Sequence, residues 1–593
     1  MFLRVLFLLA LLTSAGFAAP PARPKLVVAI LVDQLRYDYL DRFHDQFGEN
    51  GFRRLTDHGA FMTFARYDYV PTITGPGHAS FFSGAPPAVH GIIANDWFDK
   101  AAGKMVYCVG DPNVHGVGTE TKAGQMSPRN FVGSNFSDEM RLHYRSKVIG
   151  LSMKDRGAVL PAGKQPAGAY WWESASGNFI TSDYYRAELP EWVQKFNEQK
   201  RAAGFMGKQW TRLLDPSKYE REDDLPGEGL LEGEKTPTFD HAIELSKTEG
   251  FENIMPSPFG NQLLREFAEA ALEGEQLGQG PQPDVFCVSF SSVDYVGHRY
   301  GPYSQEMQDA VLRLDQELAL LFAALDKRVG LANCAIVLTA DHGVCPTPEF
   351  ASLVGLDGRR VDLVKLMEDL LAKLTERFGS SKVLLTNKIF EGNLYYNHDF
   401  LRGNNIAAAD LSTFLREWAL ATGYFQAGYS REQLLDGRTA GELGERVRNG
   451  FNPARSGDMV LVYNPYTLIA FPSAAKAAGA APTGTTHGSG YSYDTHVPVL
   501  FYGAPFVPGR YADDFHITDI AATLCAALHI TEPAGSIGKP CVKVLAEQPE
   551  NAARAAAGTA VAVTPAVTDV LVGKGTPPAK APPSKVPAKP RKK

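Results

Sequence analysis

Cysteine is scarce in this 593-residue sequence: there are six, Cys108, Cys287, Cys334, Cys345, Cys525 and Cys541. Their spacing resembles no zinc ribbon and fixes no connectivity. Cys287 and Cys334 fall in apolar runs where buried thiols are expected, and Cys525 and Cys541 stand as a candidate disulfide pair. A basic block is missing from the body of the chain, whose formal net charge is -7. That removes the electrostatic footprint of a nucleic-acid-binding surface. Beyond the N-terminus no run reaches about 18 apolar residues, so no membrane span is expected in the mature chain. No internal repeat is present.

What the chain does have is an ordinary globular composition, 44% hydrophobic and 21% charged, which argues against wholesale disorder. Its first residues read as a secretory signal peptide, 1–19. Arg4 supplies the positive end, Val5 to Leu12 the short apolar core, and Gly16 and Ala18 the small residues before cleavage after Ala18 or Ala19. No cysteine stands there to carry a lipid anchor. A periplasmic or secreted location follows. Residues 547–593 shift to Ala, Pro, Thr and Lys and end in Lys585, Lys589, Arg591, Lys592 and Lys593. Such a tail buries no core and is expected to be disordered.

Between these ends, Leu26 to Val32, Val285 to Phe290, Ala335 to Thr339 and Val497 to Phe501 are short β-rich apolar runs. They are of the kind found in parallel sheets covered on both faces. Helical patterns alternate with them, most clearly from Ser304 to Leu325, where Met307, Val311, Leu314, Leu318, Leu321 and Phe322 recur near a 3.6-residue period. The expectation is an α/β fold with a doubly wound, mostly parallel central sheet. A single catalytic domain, 25–546, would carry two insertions near 160–283 and 346–485, the second with a helical pattern from Val361 to Phe378.

The strand ends carry unusual residues. Leu26 to Val32 runs into Asp33, Val285 to Phe290 is followed by Asp294 and His298, and Ala335 to Thr339 by Asp341 and His342. His487 precedes the last strand. In open α/β sheets ligands gather beyond the carboxyl ends of strands, and His nitrogen with Asp oxygen is an ordinary zinc donor set. Asp294 and His298 are four residues apart, so one helical turn aims both at one ion. A nucleophile candidate, Thr74, opens Thr74-Gly-Pro-Gly-His78 before an apolar helix. The helix tip offers free N–H groups and a dipole that favour a phosphate, although an N-cap threonine is the commoner role. Lys154 and Arg156, two residues apart, would face one way in an extended segment and clamp an anion. A surface turn paired with Asp155 is the plain alternative. His78 and His90 read as supports of the nucleophile loop, and His496 as a packing residue near the last strand.

Taken in order, Leu31-Val-Asp33-Gln, Pro71-Thr-Ile-Thr74-Gly-Pro-Gly-His78, His90-Gly-Ile-Ile-Ala-Asn95, Met153-Lys-Asp-Arg156, Asp294-Tyr-Val-Gly-His298, Asp341-His342-Gly and Thr486-His487-Gly form a pattern. It resembles the alkaline phosphatase superfamily over roughly Leu26 to Leu545. Within that superfamily it is similar to the exported bacterial branch with a threonine nucleophile, related to type I phosphodiesterase/nucleotide pyrophosphatases. The resemblance implies two zinc ions, one held by Asp294, His298 and His487, the other by Asp33, Asp341, His342 and Thr74. It makes Thr74 the nucleophile, with a phosphothreonine intermediate, and Asn95 a donor to a phosphate oxygen. Lys154 and Arg156 match the positions that monoesterases use on the phosphoryl group and diesterases lack. Four charges from zinc and two from Lys154 and Arg156 oppose three carboxylates and one alkoxide, and the excess of about +2 suits a monoester dianion. The expected activity is therefore release of phosphate from small phosphate monoesters. A phosphodiesterase on the same scaffold is the nearest alternative, and a non-catalytic envelope phosphate or metal binder one of another class. No Cys or Ser stands in a Cys-x-Pro-x-Arg context, which argues against a sulfatase, and a phosphoglycerate mutase would carry serine in place of Thr74. Other divalent ions could replace zinc.

Overall fold

Leu26–Val32 (β1), seven consecutive and fully buried apolar residues, lies at the centre of a ten-stranded sheet in a computed structural model that describes residues 23–470 and 482–546. Each such side chain taken from water contributes about 1.5–3 kcal/mol, which explains why a β-branched run with no polar face becomes an inner strand. The signal-peptide expectation at 1–19 and the tail expectation at 547–593 lie outside the described residues.

The other strands of the sheet are β2 (Ala60–Met62), β3 (Gly116–Val117), β4 (Val148–Ser152), β5 (Gly168–Glu173), β6 (Asn178–Ser182), β7 (Asp284–Phe290), β8 (Cys334–Thr339), β9 (Val499–Gly503) and β10 (Gly509–Tyr511). They run in the order β10-β2-β9-β8-β1-β7-β4-β5-β6-β3. The five strands β8-β1-β7-β4-β5 are mutually parallel, as expected. Val32 pairs with Phe290 and Leu31 with Thr339, so Asp33, Ser291 and Ala340 emerge along one edge. β9 is antiparallel to β8, with Val499 opposite Thr339. Its starting end therefore lies on that same edge, which brings the loop before it, with His487, to the other ligands.

Helices cover the sheet. The ones that matter for the site are α1 (Thr74–Ser83), α2 (Asp155–Ala162), α3 (Pro258–Gly274), α4 (Ser292–Tyr300) and α5 (Gln305–Arg328). α5 starts where the pattern placed it: Ser304 is the N-cap, accepting from the Met307 N–H at 3.0 Å. It runs three residues past Leu325, closed by Lys327 and Arg328, which suit a helix C-terminus.

Three expectations need correction. The stretch 160–283 is not wholly an insertion. Its Trp- and Tyr-rich part supplies β5 and β6 of the main sheet, and α3 buries nine residues, Leu263, Leu264 and Phe267 among them, against the same core. Cys525 and Cys541 form no bridge. All six cysteines are free thiols, and Cys525 turns into the main core while Cys541 stays half-buried. The helical pattern from Val361 starts at Leu363, because Arg359–Asp362 is a short strand parallel to Thr467–Ala470. Asp362 accepts from the Val364 and Lys365 N–H groups and caps the helix. The segment 346–485 does build its own small core, around Leu370, Leu374, Leu411, Leu415 and Trp418.

Candidate metal centre and active site

Six side chains converge at the carboxyl edge in two groups. In one, donor atoms of Asp294, His298 and His487 all lie within 4.8 Å of one another, and in the other those of Asp33, Asp341 and His342 do. His298 Nε2 is 3.2 Å and His487 Nε2 3.5 Å from Asp294 Oδ1. His342 Nε2 is 3.3 Å from Asp33 Oδ1 and 3.5 Å from Asp341 Oδ2. The far side of each ring decides what the near side can do. His298, His342 and His487 donate Nδ1–H to the carbonyls of Thr485, Gly343 and Thr72, each at 2.9 Å. A carbonyl only accepts, so Nδ1 carries the proton and Nε2 keeps a lone pair turned toward the carboxylates.

Asp33 Oδ1, Asp341 Oδ2 and His342 Nε2 are buried without a hydrogen-bond partner. Orphaned acceptors of this kind cost free energy unless something positive meets them. Burial and the neighbouring Asp33 push the Asp341 carboxyl up. His342 is raised to about 9, because Asp341 and Asp33 outweigh the effect of burial. His487 is held well below its ordinary value by burial and by His342 and His298. The residues compete for one another's charge, and a divalent cation at each group would take over that role. His and Asp donors at this spacing fit zinc.

Thr74 is the first residue of α1 and is almost fully buried. Its helix is tied to both groups. His487 holds the Thr72 carbonyl, two residues upstream. His78 Nδ1 lies 2.9 Å from the Thr74 carbonyl and 3.1 Å from Asp341 Oδ2, while its Nε2 meets Ser289 Oγ at 2.8 Å. His78 therefore supports the loop, as read from the sequence. His90, 3.0 Å from Ser80 Oγ, supports the helix itself. Gly77 has no room for a side chain: a Cβ there would sit 2.4 Å from the Asp341 carbonyl oxygen. Asn95 Oδ1 accepts from the Gly75 N–H at 2.8 Å, which leaves its amide N–H groups beside the helix tip. His496 packs, with its ring stacked on Tyr37 at 4.3 Å.

Lys154 and Arg156 are placed differently from the extended reading. β4 ends at Ser152, Lys154 is the N-cap of α2, and Arg156 is already helical. Two residues apart on a helix start do not face one way. The Lys154 ammonium lies 2.5 Å from both Asp33 Oδ2 and Asp294 Oδ2, joining the two groups. Burial works against that charge, but Asp294 and Asp33 hold it on. The Arg156 guanidinium donates to the Tyr107 hydroxyl at 3.1 Å, and Tyr107 in turn donates to Asp155.

Sequence reasoning missed several residues here. Gln34, in a left-handed conformation at φ 68°, receives the Asp341 carboxylate on its N–H and donates its amide to Asp294 Oδ1 at 2.6 Å. Tyr295 lies under Lys154, 5.0 Å from ring centre to ammonium. Gln34 follows Asp33 directly and could have been singled out from that position. Tyr107 carries no local signal, because its role exists only once Asp96–Asp99 pairs with Lys104–Tyr107 and brings it to α2.

Comparison with known proteins shows the family. Residues 27–488 match the type I phosphodiesterase / nucleotide pyrophosphatase family, and the chain belongs to it. Within that family it stands with bacterial alkaline phosphatases. It is 38% identical to alkaline phosphatase PafA of Elizabethkingia meningoseptica over 88% of this chain and 95% of that one. It is 36% identical to alkaline phosphatase PhoV of Synechococcus elongatus over 89% and 94%. It is also 37% identical to a Myroides odoratus protein named calcium-transporting ATPase, over 87% and 94%. The crystal structure of wild-type PafA superimposes with a TM-score of 0.83 at 36% identity, covering 89% of this chain and all of that one. The chain is an enzyme of the phosphoester hydrolase class.

Proposed function

We propose that this enzyme is an exported alkaline phosphatase that releases phosphate from small phosphate monoesters through a phosphothreonine at Thr74. One observation carries the reading: a helix-tip threonine is fastened through Thr72 to the Asp294–His298–His487 group and through His78 to the Asp33–Asp341–His342 group. Two zinc ions held by these groups would supply positive charge against the phosphoryl oxygens and lower the pKa of a coordinated hydroxyl.

The chain's own residues then do the following. The N–H groups of α1 and the Asn95 amide bind the phosphoryl oxygens and hold phosphorus in line with the Thr74 oxygen. Thr74 gives its hydroxyl proton to solvent, its oxygen bonds to phosphorus as the bond from phosphorus to the ester oxygen breaks, and that oxygen leaves as the alcohol after taking a proton from water. Water then attacks the phosphothreonine from the opposite side and frees phosphate. Lys154, fixed between Asp33 and Asp294, places one positive charge beside the developing negative charge, and Arg156, oriented by Tyr107, supplies a second with fork geometry. Phosphoryl transfer asks mainly for this positioning and charge.

The relatives' printed names support the monoester reading. A solved PafA variant carries substitutions at a threonine, an asparagine, a lysine and an arginine, in that order along its chain; Thr74, Asn95, Lys154 and Arg156 follow the same order, which supports these four as the working residues. The family name itself favours diesters as the second reading. The Myroides relative's name suggests transport, for which no helix among the described residues is long and apolar enough to cross a membrane. Turnover of nitrophenyl phosphate and bis-nitrophenyl phosphate by wild type and by the double variant Lys154→Ala, Arg156→Ala separates the two readings. The monoester rate should fall by about a hundredfold, as for loss of charged transition-state donors, and the diester rate by much less. Equal losses would contradict the monoester assignment.

A further inference from the structure

Beside this site, next to the residue that follows His487, the 346–485 segment places the carboxylate of Glu391. Phe390 and Asn393 exchange N–H···O bonds of 3.1 and 2.8 Å, so Glu391 and Gly392 are the two residues of a tight turn. Both have positive φ, 45° and 76°. That is the pattern of a type I′ turn, where Asn or Gly is the usual first residue and glutamate is strained. The turn is held rigidly. Leu461 donates to the Gly392 carbonyl at 2.8 Å, and the Asn393 amide donates to the Phe390 and Glu391 carbonyls at 3.1 and 3.0 Å. A Cβ on Gly392 would sit 2.3 Å from the Leu461 carbonyl oxygen, so the turn cannot shift toward that strand.

The Glu391 side chain is exposed, yet it lies against the site. One of its carboxylate oxygens is 3.9 Å from where a Cβ on Gly488 would be, and Gly488 follows His487. Asp96, which follows Asn95, is close enough for its charge to act on Glu391, and Asp96 itself feels the Arg156 guanidinium. Glu391 and Asp96 form no salt bridge with any Lys or Arg among the described residues. A strained residue held rigidly at a cleft, without a structural partner, points to function more than to folding. Two like charges at the rim set a local potential that acts on whatever the phosphoryl group is attached to.

We propose that Glu391, with Asp96, selects the leaving group: it favours monoesters whose alcohol carries a positive charge and disfavours those whose alcohol carries a carboxylate. The inference rests on the monoester reading above. Glu391 touches neither candidate metal group and lies outside the phosphoryl-binding residues, so its effect belongs to specificity rather than to the chemical step.

The test uses the full zinc-loaded enzyme and three substrates: phosphoethanolamine with a cationic alcohol, ethyl phosphate with a neutral one, and 3-phosphoglycerate with an anionic one. For Glu391→Gln, the kcat/KM ratio of phosphoethanolamine to ethyl phosphate should fall by about threefold or more, the scale expected for a partly exposed charge pair. The ratio of 3-phosphoglycerate to ethyl phosphate should rise by a similar factor, with ethyl phosphate itself nearly unchanged. Added salt should shrink both changes. If the glutamine variant fails to fold, Glu391→Asn, which suits the left-handed turn, gives the same readout. Unaltered ratios in an active variant overturn the inference alone. A wild type that turns over diesters but none of the three monoesters overturns the monoester reading and this inference together.

Discussion

Two clusters of histidine and carboxylate draw on neighbouring helices, the first on Asp294 and His298 of α4 and the second on Glu306 of α5, and they serve opposite purposes. In the first, His298, His342 and His487 each spend Nδ1 on a backbone carbonyl and turn Nε2 toward aspartates. In the second, His241 is fully buried and spends both nitrogens on carboxylates, Nδ1 on Glu234 at 3.0 Å and Nε2 on Glu306 at 3.1 Å. Burial opposes charge on His241, but the hydrogen bonds it donates to Glu234 and Glu306 overcome it and raise the ring to about 9. Both nitrogens of that ring are spent on carboxylates, so it offers no lone pair; His342 is raised as far, but by Asp341 and Asp33, which a bound cation would engage, and His487 is kept neutral. The lesson is that a His/Asp/Glu cluster is read by what holds the outer nitrogen. A carbonyl there prepares a ligand, and a second carboxylate prepares an ion pair.

The contrast can be broken in four ways. Thr74→Ala should have the largest effect, lowering turnover by at least about a thousandfold as for loss of a nucleophile, while the Asp294–His298–His487 group, which does not include it, keeps its ion; steady-state kinetics with metal analysis checks both. His298→Gln should weaken metal binding and activity by roughly a hundredfold or more, with little change in the melting temperature of the metal-free protein. His241→Gln should do the reverse. It should cost about 3 kcal/mol of stability near pH 6, since one partner of a buried ion pair is lost, and leave kcat of the metal-loaded enzyme intact. The folded pKa of His241 is above its unfolded value of 6.5, so the wild-type advantage is full below pH 6.5 and disappears as pH rises through about 9. Urea unfolding of both proteins across that range would show the gap closing, and a gap constant with pH would contradict the ion-pair reading. Ser304→Ala, which removes the cap of α5, should cost only about 1 kcal/mol at any pH.

The parts legible in the sequence are those set by local physics. β1 is an unbroken apolar run and β7 and β8 are nearly so, and the ligands that follow them needed only the strand to end. Thr74 was legible from Gly-Pro-Gly and the apolar helix behind it. What failed depended on partners far along the chain. β5 and β6 were assigned to an insertion because Tyr170, Trp171 and Trp172 give no clear alternation, yet all three are buried against the main core. The end strand was set two residues early, because Val497 is buried and apolar but pairs with Ala65 rather than with β8. The one-face reading of Lys154 and Arg156 fails because nothing in the sequence marks Asp155 as the first residue of a helix. Gln34, Tyr107 and Glu391 owe their places to contacts across 260, 48 and about 100 residues of chain, which periodicity does not reach.

The account's central claim is that two groups of three side chains hold two cations at Thr74. It is tested most directly by elemental analysis of the purified enzyme, after exhaustive chelation and again after titration with zinc, with phosphatase activity followed alongside. Two zinc ions per chain, with activity absent in the chelated protein and restored as the second ion binds, is the predicted result. Full activity in protein holding less than one ion per chain would contradict it.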